Sequence, residues 1–270
     1  MNKKIIAILT LAILTIGILG GCSKESNEAE ENTVLKVSAT SVPHAQMLEY
    51  IKDDLKEQGI ELDIMVIDEY NTHNRALQEK EVDANFFQHI PFLEKQIAEF
   101  GYDLEVLAKV HIEPLGVYSE KVTSLDELEE GAVIAIPNDT SNEARALALL
   151  HNNGLIELND VNDQTATILD IKNNPKGLVF QEMEAAALPM ILQDVDAAVI
   201  NTNFAIKAEL SPTEDALAIE DANSPYVNVL VIRKGEADRE DLKALAEALT
   251  SDKMKKYIED NYNGEIVPVF

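Results

Sequence analysis

Arginine is scarce in this 270-residue chain: Arg75, Arg145, Arg233 and Arg239 are the four. Arg145 closes the segment Pro137-Asn138-Asp139-Thr140-Ser141-Asn142-Glu143-Ala144-Arg145, just past the apolar run AVIAIP and within the first turn or two of an expected helix. A guanidinium there, with helix N-terminal amides beside it, can grip a carboxylate by paired charge-assisted hydrogen bonds. The competing reading is a surface salt bridge to one of the chain's 49 acids. Asn201 follows the apolar AVI, and Asn228 lies in SPYVN. Carboxamides donate and accept, which suits the ammonium and carboxylate of an amino acid held together, although an isolated Asn at such a place also serves as a helix cap. The stretch DANFFQHIPFL, residues 83–93, gathers Phe86, Phe87 and Phe92, three of seven phenylalanines, around His89 and Pro91. Core packing is the ordinary account of such a cluster; the apolar part of a ligand, however, would need a wall of its own.

Other chemistry is missing from the sequence. It contains no Gly-x-Ser-x-Gly, no phosphate-binding Gly-x-x-x-x-Gly-Lys, no Gly-x-Gly-x-x-Gly and no Cys-x-x-Cys. The five histidines, at 44, 73, 89, 111 and 151, have spacings unlike a metal site. No enzyme activity, metal or cofactor is expected.

The ends carry a separate message. MNKKIIAILTLAILTIGILGGCSKE has two lysines, an uncharged run from Ile5 to Leu19, and Leu19-Gly20-Gly21 before Cys22, the one cysteine present. That is the layout of a signal peptide, too short for the roughly 20 residues of a spanning helix. Cys22 stands where a lipoprotein signal peptidase would cut, so residues 1–21 are read as the leader and Cys22 as the acylated (palmitate-type) first residue. Two or three acyl chains would hold the protein on a membrane surface. Residues 22–33, acidic and without a large apolar side chain, read as a flexible tether. The formal charge is −27, and losing Lys3 and Lys4 with the leader makes it −29. A chain so acidic lacks the basic surface that nucleic-acid binding requires.

Behind the tether, short β-rich runs alternate with helical patterns. VLKVSAT (34–40) reads as a strand, and HAQMLEYIKDDLKEQG (44–59) as a helix with Met47, Leu48, Ile51 and Leu55 on one face. ELDIMVI, VLAKVHI, AVIAIP, TATILDI, GLVFQEM, VDAAVI and VNVLVIR continue the strand rhythm, SLDELEEG carries a capping-box pattern from Ser124 to Glu127, AAALPMILQD reads as helical, and two helices close the chain. Alternation of this kind implies an α/β fold with largely parallel sheets covered on both faces. Ligands then bind beyond the carboxyl ends of strands, where NDTSNEAR, NTNFA and the aromatic stretch all fall.

DANFFQHIPFL, PNDTSNEAR, AVIN and SPYVN, with SVPHAQML near the mature start and IVPVF at the end, closely resemble the NlpA family of methionine-binding lipoproteins from bacterial ABC importers, in order over residues 34–270. The resemblance implies a periplasmic-binding-protein-like α/β fold of two lobes, 34–115 with 225–270 and 116–224, each a mostly parallel sheet flanked by helices and closing over a ligand in the cleft. It implies capture of methionine and delivery to a membrane permease driven by a cytoplasmic ATPase, from the extracytoplasmic face of the cell membrane. Carried over motif by motif, Tyr70, Phe87, His89 and Phe92 enclose the thioether side chain, Asn142 and Arg145 meet the carboxylate, and Asn201 and Asn228 complete the polar end. Relatives commonly have tyrosine where Phe92 stands. Glu113, in HIEPLGVY, is a further candidate as ammonium partner. Sulfur makes favourable contacts with aromatic edges, worth up to about 1.5 kcal/mol each, which accounts for the phenylalanine cluster; Phe86, its neighbour pointing the other way, is assigned to the core. The alternatives are another small amino acid, a methionine-containing dipeptide, or a surface lipoprotein, adhesin or enzyme, on the same scaffold.

Overall fold

Apolar residues alternate between two buried faces along the central strands of each sheet, and this places helices on both sides. The computed structural model describes residues 33–221 and 224–270. The leader, Cys22 and the tether up to residue 32 lie outside the described residues. Thr33, expected in the tether, already begins the first strand.

The chain runs β1 (Thr33–Ala39), α1 (Gln46–Lys56), β2 (Ile60–Val66), α2 (Tyr70–Gln78), β3 (Ala84–His89), α3 (Ile90–Phe100) and β4 (Leu104–Ile112). It then crosses to β5 (Gly116–Tyr118), β6 (Val133–Pro137), α4 (Thr140–Asn152), β7 (Glu157–Leu158), β8 (Ile171–Asn173), β9 (Val179–Met183), β10 (Ala197–Ile200), α5 (Thr202–Lys207) and β11 (Ala218–Ile219). It returns through β12 (Val227–Arg233), α6 (Glu240–Leu249), α7 (Asp252–Tyr262) and β13 (Val267–Pro268). The first lobe has a sheet of order β13-β4-β12-β3-β1-β2, and the second a sheet of order β11-β5-β10-β6-β9.

Parallel pairing is confined to β2-β1-β3 and β9-β6-β10; β12 lies antiparallel between β3 and β4, and β5 is antiparallel to β10 and β11. The sheets are therefore mixed. The reason is topological: β4 leaves the first lobe at Ile112 and β12 re-enters beside it at the same end, Val227 opposite Ile112, so the two strands run antiparallel.

In the first lobe, Leu230 and Ile232 of β12 pack with Leu35 and Val37, the α1 stripe Met47, Leu48, Ile51 and Leu55, and Leu242, Leu245 and Leu249 of α6, while Val229 and Val231 turn to Ala76, Leu77 and Leu93 on the other face. Two-residue alternation with both faces covered produces this split. Each fully buried leucine contributes about 1.5–3 kcal/mol. The second lobe repeats the pattern: Ile134, Ile136 and Val199 face Leu147 and Leu150 of α4, whereas Ala135, Ala198 and Ile200 face Leu188, Leu192 and Phe204.

Three local expectations are corrected. Ser124 caps a short 3-10 turn, but Glu127 returns to the amide and hydroxyl of Thr123 rather than to Ser124, so the reciprocal box does not close. Residues 185–191 form 3-10 rather than α-helix, with Pro189 inside, whose ring and missing N–H oppose an α turn. TATILDI gives a capped 3-10 turn and the three-residue β8, because Thr167 and Asp170 hold each other's backbone amides.

Candidate functional site

Phe87 and His89 at the carboxyl end of β3, with Tyr70 of α2 and Phe92 of α3, create the aromatic side of the cleft. The β3–β12 ladder pairs Val229 with Gln88 and Leu230 with Phe86, leaving Phe87 as the extra residue of a bulge. A bulge re-aims side chains, and Phe86 packs in the first-lobe core while Phe87 lines the cleft. Behind Phe87 the ring of His73 lies stacked, centroids 4.0 Å apart, and is fixed by Ser38 Oγ and the Ile67 carbonyl. Beneath the strand, Asn74, Asn85 and Gln88 form a buried cluster of amides bonded to one another. At the end of β3, His89 caps α3: its Nδ1 accepts the Phe92 N–H at 3.1 Å, and Pro91 fits the first helical turn. Tyr70, at the start of α2, completes a triangle with Phe87 and Phe92, with ring centroids 5.7 to 5.9 Å apart.

The polar side comes from the second lobe and the crossings. Since Nδ1 of His89 accepts, its Nε2 carries the proton and donates to Asn142 Oδ1 at 3.2 Å. Burial, then the charge of Arg145, lowers the His89 pKa to about 3, so the ring is neutral. Asn142 is engaged at both ends: Nδ2 donates to Asp139, and Oδ1 accepts from His89 and from Asn201 Nδ2 at 3.0 Å. Asn201 does not cap α5 with its side chain, and its Oδ1 is buried without a partner. Arg145 donates through Nη2 to the Glu113 carbonyl and through Nε and Nη2 to Glu220, and its guanidinium lies 4.3 Å from the Tyr226 ring centre. Burial opposes its charge, and the Glu220 carboxylate more than offsets that, leaving its pKa raised. Nη1 takes part in none of these bonds.

Two bonds cross the cleft beside these groups. Tyr70 donates its hydroxyl to Asn203 Oδ1 at 2.6 Å, and Lys207 pairs with Asp68 nearer the surface. These groups converge on one pocket, with the mixture of apolar walls and a few converging polar groups that small-molecule sites have. All nine residues expected from the sequence line it: Tyr70, Phe87, His89, Phe92, Glu113, Asn142, Arg145, Asn201 and Asn228.

The sequence reading missed several neighbours. Asn203 lies two residues past Asn201 in the quoted NTNFA, and Tyr226 within SPYVN, yet neither spacing announced a contact with Tyr70 or Arg145. Glu220 sits in the second crossing with no motif around it. His44 and His111, dismissed on spacing, converge on Glu113: their Nε2 atoms lie 3.4 and 2.8 Å from its Oε1. These three are the described residues whose ligand atoms, all within 4.8 Å of one another, have metal-site geometry. His44 Nε2 is also bonded to Asn228 Oδ1 at 3.2 Å, so both imidazoles act here as donors to oxygen.

The family model described as NlpA lipoprotein matches residues 35–270. The chain belongs to this family. Among NlpA relatives, the Bacillus subtilis protein named methionine-binding lipoprotein MetQ is 40% identical over 264 residues, covering 96% of each chain. The Escherichia coli D-methionine-binding lipoprotein MetQ is 36% identical over 252 residues, covering 92% of each. A solved structure of a nutrient-binding protein from Burkholderia cenocepacia bound to methionine superposes with a TM-score of 0.85 at 40% identity, covering 87% of this chain and 100% of the other.

Proposed function

We propose that the protein is the lipid-anchored, extracytoplasmic solute-binding component of an ABC importer and that its solute is methionine. The observation that carries this reading is the two-ended cavity. Tyr70, Phe87 and Phe92 offer ring edges to a thioether, while Arg145, the unpartnered Oδ1 of Asn201 and the Glu113 carboxylate stand ready for a zwitterionic head. An unsatisfied acceptor in the interior costs about 1–3 kcal/mol, so a donor on the solute recovers that loss on binding. The names of the relatives support the same ligand.

In this reading the lobes comprise 34–115 with 225–270, and 116–224. The aromatic box belongs to one and Arg145 to the other. A solute that touches both favours the closed form by its differential affinity for it, and a permease with its ATPase accepts that form. Cys22 carries the acyl anchor.

Calorimetric titration of protein unfolded and refolded to strip carried-over solute tests the assignment. Heat with methionine and none with leucine or glutamate is expected; a flat methionine trace overturns it. Labelled palmitate retained by the wild type and lost in Cys22→Ser tests the anchor.

A further inference from the structure

We propose that His44, His111 and Glu113 act as one buried reader of a protonated α-amine, so that the cavity accepts solutes whose amine is free and refuses those in which it is absent or acylated. This rests on the amino-acid reading above and adds two positioning residues to it.

Glu113 is the acidic residue lining the cavity, and it sits on the first crossing between the sheets. Its Oε1 is taken: His111 Nε2 approaches at 2.8 Å and His44 Nε2 at 3.4 Å. The protons on these rings follow from their partners. His44 Nε2 faces two acceptors, Glu113 Oε1 and Asn228 Oδ1, so it donates, and its Nδ1 accepts from the Thr40 hydroxyl at 2.6 Å. His111 Nδ1 is buried with no partner. Placing the His111 proton there would bury an unpaired N–H, the costlier choice, so Nε2 carries it and donates to Glu113. Both rings are neutral, their pKa values lowered to about 3, chiefly by burial. Burial also raises the Glu113 pKa, while the donors and Arg145 act the other way.

Charge counting then gives the selectivity. Glu220 holds Arg145 by three contacts and neutralises it, which leaves Glu113 as the uncompensated charge in the cavity. The Asn203 backbone amide also donates to the Glu113 carboxylate, so its oxygens have donors while its charge has no cation of its own. An ammonium supplies the missing positive charge and a donor for the orphaned Asn201 Oδ1. A carboxylic acid without the amine brings a second negative charge into a buried site and leaves Asn201 Oδ1 unmet.

The test titrates the full-length protein in detergent with methionine, 4-(methylthio)butanoate and N-acetylmethionine. Wild type is expected to prefer methionine to either analogue by about 100-fold or more. In Glu113→Gln the methionine affinity is expected to fall about 100-fold while that for 4-(methylthio)butanoate holds or rises, collapsing the ratio. His111→Leu is expected to lower the ratio about tenfold, and His111→Gln, whose amide nitrogen reaches the place of Nε2, to restore it. A wild-type ratio near one, or Glu113→Gln weakening all ligands equally, overturns the proposal; the wild-type ratio decides even where a variant fails to fold. Absence of methionine binding by wild type is the separate outcome that removes the amino-acid reading itself.

Discussion

Arg145 ties together the two segments that cross between the sheets: its Nη2 donates to the Glu113 carbonyl at 2.7 Å and to Glu220 at 2.5 Å. One side chain of α4 therefore braces both crossings while lining the cavity. Arg145→Ala is expected to weaken methionine binding by at least about 100-fold, because it removes the cavity's cation and leaves Glu220 unpaired. Arg145→Lys keeps the charge but not the planar fork and recovers little of the loss. Calorimetry checks both, and unchanged affinity in Arg145→Ala would remove this residue from the site.

Phe92 and Gln96 lie one helical turn apart and line a common pocket outside the main cavity, and Gln96 Oε1 is buried with no partner. Phe92→Tyr places a hydroxyl on that face of α3. The variant is expected to gain about 0.5–1.5 kcal/mol of stability by donating to the orphaned oxygen, seen in chemical denaturation. A loss of stability would mean the hydroxyl has no room there.

Acid should unfold the protein early. His44, His89 and His111 have folded pKa values near 3, and His73 near 4, all lowered first by burial. The unfolded chain binds protons at these sites near pH 6.5, so stability is complete above that pH and is lost as pH falls toward 3. A melting temperature that drops by roughly 5 °C or more per pH unit below 6.5 is expected. Glu143 has the opposite sign: burial, with Glu182 and Asp139 nearby, raises it to about 7. Its contribution is present below pH 4.5 and is lost as pH rises through 7. Glu143→Gln should therefore raise the melting temperature at pH 8 and leave it unchanged at pH 4.5.

Gly116 cannot grow a side chain where it stands. A Cβ there would lie 2.7 Å from the Tyr118 hydroxyl oxygen and 2.8 Å from two ring carbons, in a fully buried part of the second lobe. Gly116→Ala is expected to cost about 1–3 kcal/mol. Tyr118→Phe, which deletes a buried hydroxyl with no partner, should be neutral or stabilising. Urea titration of each separates crowding from polar burial, and a neutral Gly116→Ala would show that the Tyr118 ring can move aside.

Much of this was legible along the chain, and the limits are physical. The α1 stripe and the two-faced strands depend on neighbours within a few residues, so periodicity exposes them. The polar and aromatic groups of the cavity were legible as separate motifs because each follows a strand end. Glu220, His44 and His111 were not. Glu220 meets Arg145 across 75 residues and His44 meets Glu113 across 69, pairings that the fold brings about and no local spacing encodes, while His111, only two residues from Glu113, takes on its role when His44 joins them. The bulge at Phe87 was equally hidden, since the extra residue is extra only relative to β12.

The wall behind the aromatic box has a final consequence. Phe87 leans on a histidine ring that is itself pinned at both nitrogens, and the strand carrying it rests on interlocked amides. Such a surface does not yield to its guest, and outline decides admission. A straight chain such as norleucine should still enter, weakened by the lost sulfur–ring contacts alone, while a side chain forked near its root, equally greasy, is turned away.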